Sequence, residues 1–284
     1  MATCATPRPG VATALLAAAL GGLLAGCSTA ADGGTDVVLP PTEGAFDYQL
    51  GEAYGEPVDL DVVARDVTAQ PLADAYNVCY LNGFQTQPGA LPDWEDGDGG
   101  ALLRDASGAV VMDPEWPDEA VLDPSTPQQR IAILAVMGPQ IRDCADAGFD
   151  AVELDNLDTF LRFEGVDRDG ALALATSYVE VAHDAGLAVG QKNAADVGAD
   201  AREVAGFDFA VVEECAVFDE CGTYRAVYGE HVLQIEYSDT LRDRGLTVEE
   251  VCALPDRAPL TVVRDRLLVG PDDAAHEREQ CPAG

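Results

Sequence analysis

The sequence predicts an α/β fold: a single parallel (β/α)8 barrel of the TIM type with a long loop after its third strand. Three observations predict it. Short apolar runs alternate with helical stretches along the chain, and eight of these runs read as strands. The strands end in polar and acidic residues, and in such barrels the C-terminal strand ends carry the chemistry. Once a non-globular N-terminal stretch is set aside, about 240 residues remain, the length of one barrel.

The elements follow in order. FDYQLG (46–51), LDVVARD (60–66) and YNVCYLNGF (76–84) are the first three strands. The stretch from Gln85 to Ser125, with PDWEDGDGG and DPEWPDE, is a long polar loop of the kind that is usually functional or disordered. A helix is predicted over 126–148, with Thr126 as N-cap and Pro127 in its first turn. Ile131, Leu134 and Ile141 recur on it at helical spacing, and Pro139 is expected to kink it. FDAVELD (149–155) is the fourth strand. A second helix spans 169–186, with Gly186 as its stop. LAVGQKN (187–193), FDFAVVEE (207–214), VLQIEY (232–237) and PLTVVRD (259–265) complete the strands. No repeat of 20–50 residues is visible.

The N-terminus reads differently. VATALLAAALGGLLAGC is an apolar run that ends at Cys27, too short and too rich in small residues for a spanning helix. LAGC, Leu24 to Cys27, resembles the lipobox of bacterial lipoproteins. That resemblance implies a signal peptide over 1–26 and lipid on Cys27, giving an extracytoplasmic protein anchored to the cell membrane, with plain secretion as the alternative. Residues 27–44 then read as a flexible tether and 45–284 as the barrel domain. Formal charge is −35, which excludes nucleic acid as a partner and suits a cationic one. Beyond Cys4 and Cys27, six cysteines remain, an even number that suggests disulfides, with 15 possible pairings. Their spacings contain no CxxC and the chain has three histidines, so no metal site is expected.

The strand ends concentrate the chemistry. VELDNLD (152–158) supplies Glu153, Asp155, Asn156 and Asp158; the fifth strand ends at Lys192 and Asn193, the sixth at Glu213 and Glu214, the seventh at Glu236 and Tyr237, and the second at Asp66. Strand period is two, so Glu153 and Asp155 share a face opposite Val152 and Leu154 and should point into the barrel mouth. Lys192, the single lysine of the chain, shares its face with Ala188 and Gly190. Two carboxyl groups across a cleft are the minimum for glycoside hydrolysis: one protonates the leaving oxygen, the other attacks the anomeric carbon or activates water. Ion pairing and a divalent cation are the competing explanations.

YLNGFQTQP (80–88), GFDAVELDNLDTF (148–160), GLAVGQKNA (186–194), FDFAVVEEC (207–215) and IEYSD (235–239) occur in that order, with WPDEAVLD (116–123) and AHDAGLAV (182–189). Together they resemble glycoside hydrolase family 114, the endo-α-1,4-polygalactosaminidases, over nearly all of the chain after the tether. The resemblance implies a barrel that hydrolyses α-1,4-linked galactosamine polymers without a cofactor. Leu154 stands where many members have proline, and the first strand lacks a tryptophan that members often carry near Phe46 or Tyr48. Carried over by motif, Asp155 and Glu213 are the catalytic pair, with Glu213 set as general acid, Asp155 as nucleophile or base, and the reverse left open. Glu214 is a decoy by strand parity, and Glu236 is a third candidate acid. Asp66, Tyr80, Trp116, Glu153, Asn156, Asp158, Lys192, Asn193, Glu236 and Tyr237 form the substrate-binding set, with Tyr80, Trp116 and Tyr237 as stacking surfaces and Lys192 alternatively an ion-pair partner of Glu153. The expected partner is a cationic aminosugar polysaccharide met by a monomer. Position then suggests Cys215 with Cys221, Cys252 with Cys281, and Cys79 with Cys144. The alternative function is an aminosugar-polymer-binding lipoprotein without catalysis; a two-lobed solute-binding protein fits the single barrel poorly.

Overall fold

The computed structural model describes residues 37–55, 59–95 and 100–282. The predicted signal peptide, Cys27 and the tether up to residue 36 lie outside these residues. Strands β1 (Phe46–Gln49), β2 (Val62–Asp66), β3 (Tyr76–Asn82), β4 (Ala151–Asp155), β5 (Ala188–Lys192), β6 (Phe209–Glu213), β7 (Val232–Tyr237) and β8 (Leu260–Arg264) pair in chain order, each parallel to the next. All eight predicted strands are present.

Strand parity builds two layers. Phe46, Tyr48, Val62, Ala64, Val78, Ala151, Ala188, Phe209, Val211, Leu233, Ile235 and Val262 pack together inside the barrel. The alternate residues, among them Leu81, Val152, Leu154, Val189, Ala210 and Val212, pack outward against the helices. The interior is tight enough to dictate residue size: a Cβ on Gly190 would lie 2.7 Å from the Phe209 ring, so the small-residue face of β5 is a packing requirement.

Helix Pro127–Ala147 carries the predicted Thr126 cap, completed as a capping box by Gln129, and stops at Gly148 in the left-handed conformation (φ 99°). Pro139 lies inside it without breaking it. Its buried face is Ile133, Met137, Ile141 and Cys144, whereas Ile131 points to solvent. The apolar spacing read from the sequence therefore started two residues off the true face. Helix Arg168–Asp184 is N-capped by Asp167.

Two features were not predicted. A ninth strand, β9 (Arg278–Gln280), runs antiparallel to β8. The seam between β8 and β1 is bridged by side chains: Arg264, fully buried, donates to the Tyr48 carbonyl and to Asp47 Oδ1 (2.7 Å), while the Phe46 N–H donates to Gln280 Oε1 (3.0 Å) and Arg278 donates to the Phe46 carbonyl (2.8 Å). The described residues of the long loop after β3 fold against the barrel. Antiparallel bridges join Gln85 to Val121, Leu102 to Leu122 and Met112 to Ala120, and the loop buries Trp94, Leu102, Leu103, Val121 and Leu122. Part of the stretch read as tether also packs on the barrel: Tyr76 donates to the Val38 carbonyl (2.6 Å), and His231 contacts the Pro40 carbonyl (3.1 Å). Disulfides join Cys79–Cys144, Cys215–Cys221 and Cys252–Cys281, the three pairs expected. No helix among the described residues is long and apolar enough to cross a membrane.

Candidate active site

The last inward positions of β4, β5 and β6 are Asp155, Lys192 and Glu213, and they meet. Lys192 Nζ lies 3.4 Å from Asp155 Oδ2, 3.1 Å from Glu213 Oε2 and 3.1 Å from Glu153 Oε1. The residue that follows each strand has positive φ (Asn156 67°, Asn193 46°, Glu214 59°). Each strand therefore turns sharply away, leaving its last inward side chain at the mouth.

Each acid has its own donors. Asp155 Oδ2 accepts from the Tyr80 hydroxyl (2.8 Å), and its Oδ1 accepts from the Asn156 N–H (2.7 Å). Glu213 accepts from the Tyr237 hydroxyl and from Asn193 Nδ2 (3.1 Å); Asn193 Oδ1 in turn accepts from the Glu213 N–H (2.8 Å). Burial works against the charged form of Glu213, but the Lys192 ammonium and the hydrogen bonds from Tyr237 and Asn193 outweigh it and hold the carboxyl below its usual range. Burial would likewise discharge Lys192, yet Asp155, Glu213 and Glu153 keep it charged well above the usual lysine range.

Glu153 lies one layer below. It is 0% exposed; its Oε1 accepts from Tyr48 (2.7 Å), whose hydroxyl accepts from Lys192 (2.9 Å), and among the described residues its Oε2 has no hydrogen-bond partner. Burial, only partly offset by Lys192, pushes its carboxyl up to about 7. A sealed Glu153 bears on Lys192 and, through it, on Asp155, so its place in the substrate-binding set gives way to one beneath the site. Lys192, 2% exposed, is both the ion-pair partner of Glu153 and the bridge between Asp155 and Glu213.

The remaining predicted residues divide. Asn156 donates to Asn82 Oδ1 (2.9 Å), and Asp158 pairs with Arg162 (3.2 Å), both at the β3–β4 side of the mouth. Tyr80 and Tyr237 use their hydroxyls on the two acids; Arg266 covers one face of the Tyr237 ring at 4.1 Å from its centroid, and the residue is 4% exposed, which leaves little of the ring for stacking on a sugar. Trp116, 63% exposed, sits in the turn from Asp113 to Glu119. Asp66 Oδ1 is used by the Thr68 N–H (2.9 Å) and hydroxyl (2.6 Å). Glu214 pairs with Arg266 (2.7 Å), away from the acids.

Glu236 requires a correction. On β7 the inward residues are Leu233, Ile235 and Tyr237, so Glu236 points outward under the helices, fully buried. Its Oε1 accepts from the Ala216 N–H (2.9 Å) and Gln234 Nε2 (2.8 Å). Among the described residues its Oε2 has no partner, and burial pushes the carboxyl up to about 7. Ligand atoms of Cys215, Cys221 and Glu236 lie within 4.8 Å of one another, but both sulfurs are in the disulfide and neither is available as a thiolate.

Sequence reading missed Tyr48, Asn82, Glu119, Asp113 and Arg162. Asn82 Nδ2 donates to Glu119 Oε2 (2.7 Å); Gln85 Nε2 (2.7 Å) and Arg162 (2.8 Å) both donate to Asp113 Oδ2. Period two from Tyr80 would have marked Asn82 as inward. The long loop offered no such rule for Asp113 or Glu119.

A parallel barrel that sets two carboxyl groups across one ammonium at its C-terminal mouth has the equipment of an acid–base hydrolase. The model of glycoside-hydrolase family GH114 matches residues 27–282. The chain belongs to that family and is a glycoside hydrolase. Among solved structures it is similar to Ega3 of Aspergillus fumigatus, determined with galactosamine: 21% identity, TM-score 0.68, covering 87% of this chain and 99% of that one. The glycoside hydrolase domain of PelA from Pseudomonas aeruginosa matches at 17% identity and TM-score 0.51, covering 79% and 94%, and a variant of that domain at 18% and TM-score 0.55. These likenesses bear on the fold. A search of curated protein sequences finds no match.

Proposed function

We propose that the protein is an extracytoplasmic hydrolase that cleaves α-1,4-linked galactosamine polymers with Asp155 and Glu213 as its two catalytic carboxyl groups. The observation that carries this is their shared contact with Lys192. Because both oxygens contact one nitrogen, at 3.4 and 3.1 Å, they lie at most ~6.5 Å apart, which favours a retaining mechanism (about 5–5.5 Å) over an inverting one (roughly 6.5–9.5 Å). One carboxyl protonates the glycosidic oxygen while the other attacks the anomeric carbon; water then releases the sugar, activated by the first group. Neither step needs a cofactor.

Within the pair, the free protein favours an ionised Glu213. An ionised Glu213 is the state that a nucleophile requires. The order set from the sequence needs Glu213 to take up a proton against Lys192. Azide decides between them: an alanine variant lacking the nucleophile yields a glycosyl azide of inverted configuration, and one lacking the acid yields a retained product.

The substrate reading rests on charge and on Ega3, which was solved with galactosamine. De-N-acetylated galactosamine carries an ammonium, and a chain of net charge −35 attracts such a polycation, more strongly at low salt. Three disulfides fit an oxidising compartment outside the cytoplasm. Cys27 is the proposed lipid attachment, and exposed Trp116 the proposed outer stacking surface. The test is incubation of the soluble domain with partly deacetylated polygalactosamine and mass analysis of the products. Shortened oligomers support the reading. Binding without cleavage would favour the non-catalytic alternative.

A further inference from the structure

One buried acid at the mouth is not used by the reaction above. Glu119, carried by the long loop, is 7% exposed. Its Oε2 accepts from Asn82 (2.7 Å), and among the described residues its Oε1 has no hydrogen bond and its carboxylate no ion pair. Asn82 stands in register with Asp155 on the adjoining strand, two residues beyond the Tyr80 that holds Asp155. Glu119 is thus held one layer above the catalytic acids, on the β3–β4 side. Asp155 and Asp113 lie close enough to oppose its charge, and burial, the larger effect, pushes its carboxyl up to about 7.

Its acidic neighbours differ in one respect. Asp113 and Asp158 both pair with Arg162, at 2.8 and 3.2 Å, and the remaining guanidinium nitrogen donates to Asn156 (2.6 Å). Arg162 uses three of its N–H groups on these partners and makes no ion pair with Glu119 among the described residues, though its charge favours the ionised Glu119. Glu119 Oε1, without a protein partner among the described residues, opens to solvent at the mouth, and a carboxylate whose burial is only partly offset by Asn82 and Arg162 is stabilised by a further donor that brings positive charge.

Given a galactosamine polymer as substrate, the reading on which this rests, we propose that Glu119 is a specificity-determining residue that receives the ammonium group of a sugar bound next to the scissile bond. An ammonium supplies both donors for the open oxygen and a positive charge to set against Asp155 and Asp113. An acetamide supplies one neutral N–H and added bulk, so Glu119 would select de-N-acetylated sugar at that subsite.

The test compares wild type with Glu119→Gln, which keeps an acceptor for Asn82, on matched galactosamine and N-acetylgalactosamine oligomers. Retained thermal stability and circular dichroism confirm the variant's fold; if it does not fold, Glu119→Asp, which keeps the charge on a shorter arm, is compared in the same way. The expected result is a rise of about tenfold or more in KM for the galactosamine oligomer, a smaller change in kcat, and a fall in the preference for galactosamine. Equal losses on both oligomers, or a loss confined to kcat, would overturn the proposal. Calorimetric binding of the galactosamine oligomer separates this from the hydrolase reading. If wild type binds without cleaving, the hydrolase reading fails, and weaker binding by the variant still supports the role of Glu119. If wild type does not bind it, both fail.

Discussion

Glu213 and Glu236 are both glutamates at the ends of neighbouring strands, and they meet opposite fates. Glu213 closes β6 on the inward face, where Lys192, Tyr237 and Asn193 hold it below its usual range. Glu236 lies one position past the residue that pairs with Glu213, on the outward face of β7, where it has no ion pair among the described residues and burial pushes it up to about 7. A shift of one residue in parity separates a charged group in a reactive cluster from an acid stabilised in its neutral form. Position at a strand end does not distinguish them; the face does, and with it the exposure, 24% of the Glu213 side chain against none of Glu236.

The strongest way to break this contrast is Glu213→Gln. It should lower kcat by about 10²–10⁴-fold with the fold intact, and near-wild-type turnover would remove Glu213 from the catalytic pair. Lys192→Met comes next. Removing one partner from a buried ionic set costs about 3–5 kcal/mol, so chemical denaturation should show a clear loss. Without the ammonium the Glu213 carboxyl rises, and the limb of the pH–rate profile that it governs should move to higher pH. An unmoved limb would mean that Lys192 does not set the ionisation of the pair.

The disulfides sharpen the comparison on the stability side. Cys79–Cys144 closes a separation of 65 residues and Cys215–Cys221 one of 6, so chain entropy assigns them about 4 and about 2 kcal/mol. Removing the second should affect turnover more than stability relative to the first, because it braces the segment after β6. The reverse ranking, by melting and by kcat, would argue against that brace.

The smallest expected effect is that of Glu236→Gln. A folded-state carboxyl pushed up from 4.5 to about 7 binds its proton more tightly than the unfolded chain does. Its contribution is complete at low pH and declines as pH rises through that window. The glutamine variant lacks this decline, so its Tm should match wild type near the bottom of the window and exceed it above pH ~7, with turnover little changed. A large loss of turnover would return Glu236 to the list of catalytic acids.

Strands and their facing were legible because period-two patterning in a parallel barrel is strongly constrained. Glu153, Asp155, Lys192 and Glu213 all fall inward as alternation requires. The same rule applied to VLQIEY would have turned Glu236 outward; it was read as a mouth residue because it ends a strand next to Tyr237. Asn82 was reachable by counting from Tyr80. Glu119 and Asp113 were not, because irregular backbone has no period, and their positions depend on how the loop folds over β3.

The sequence by itself determined the barrel, its strand order, the inward acids and the one lysine among them, since local alternation and apolar periodicity encode these directly. Only the tertiary structure decided that one ammonium serves three carboxyl groups, that Glu153 is sealed beneath the site, that side chains of β9 and Arg264 bridge the seam, and that the long loop brings Glu119 to the mouth. These depend on distances between segments far apart in the chain, and which charges are compensated is fixed only when those segments pack.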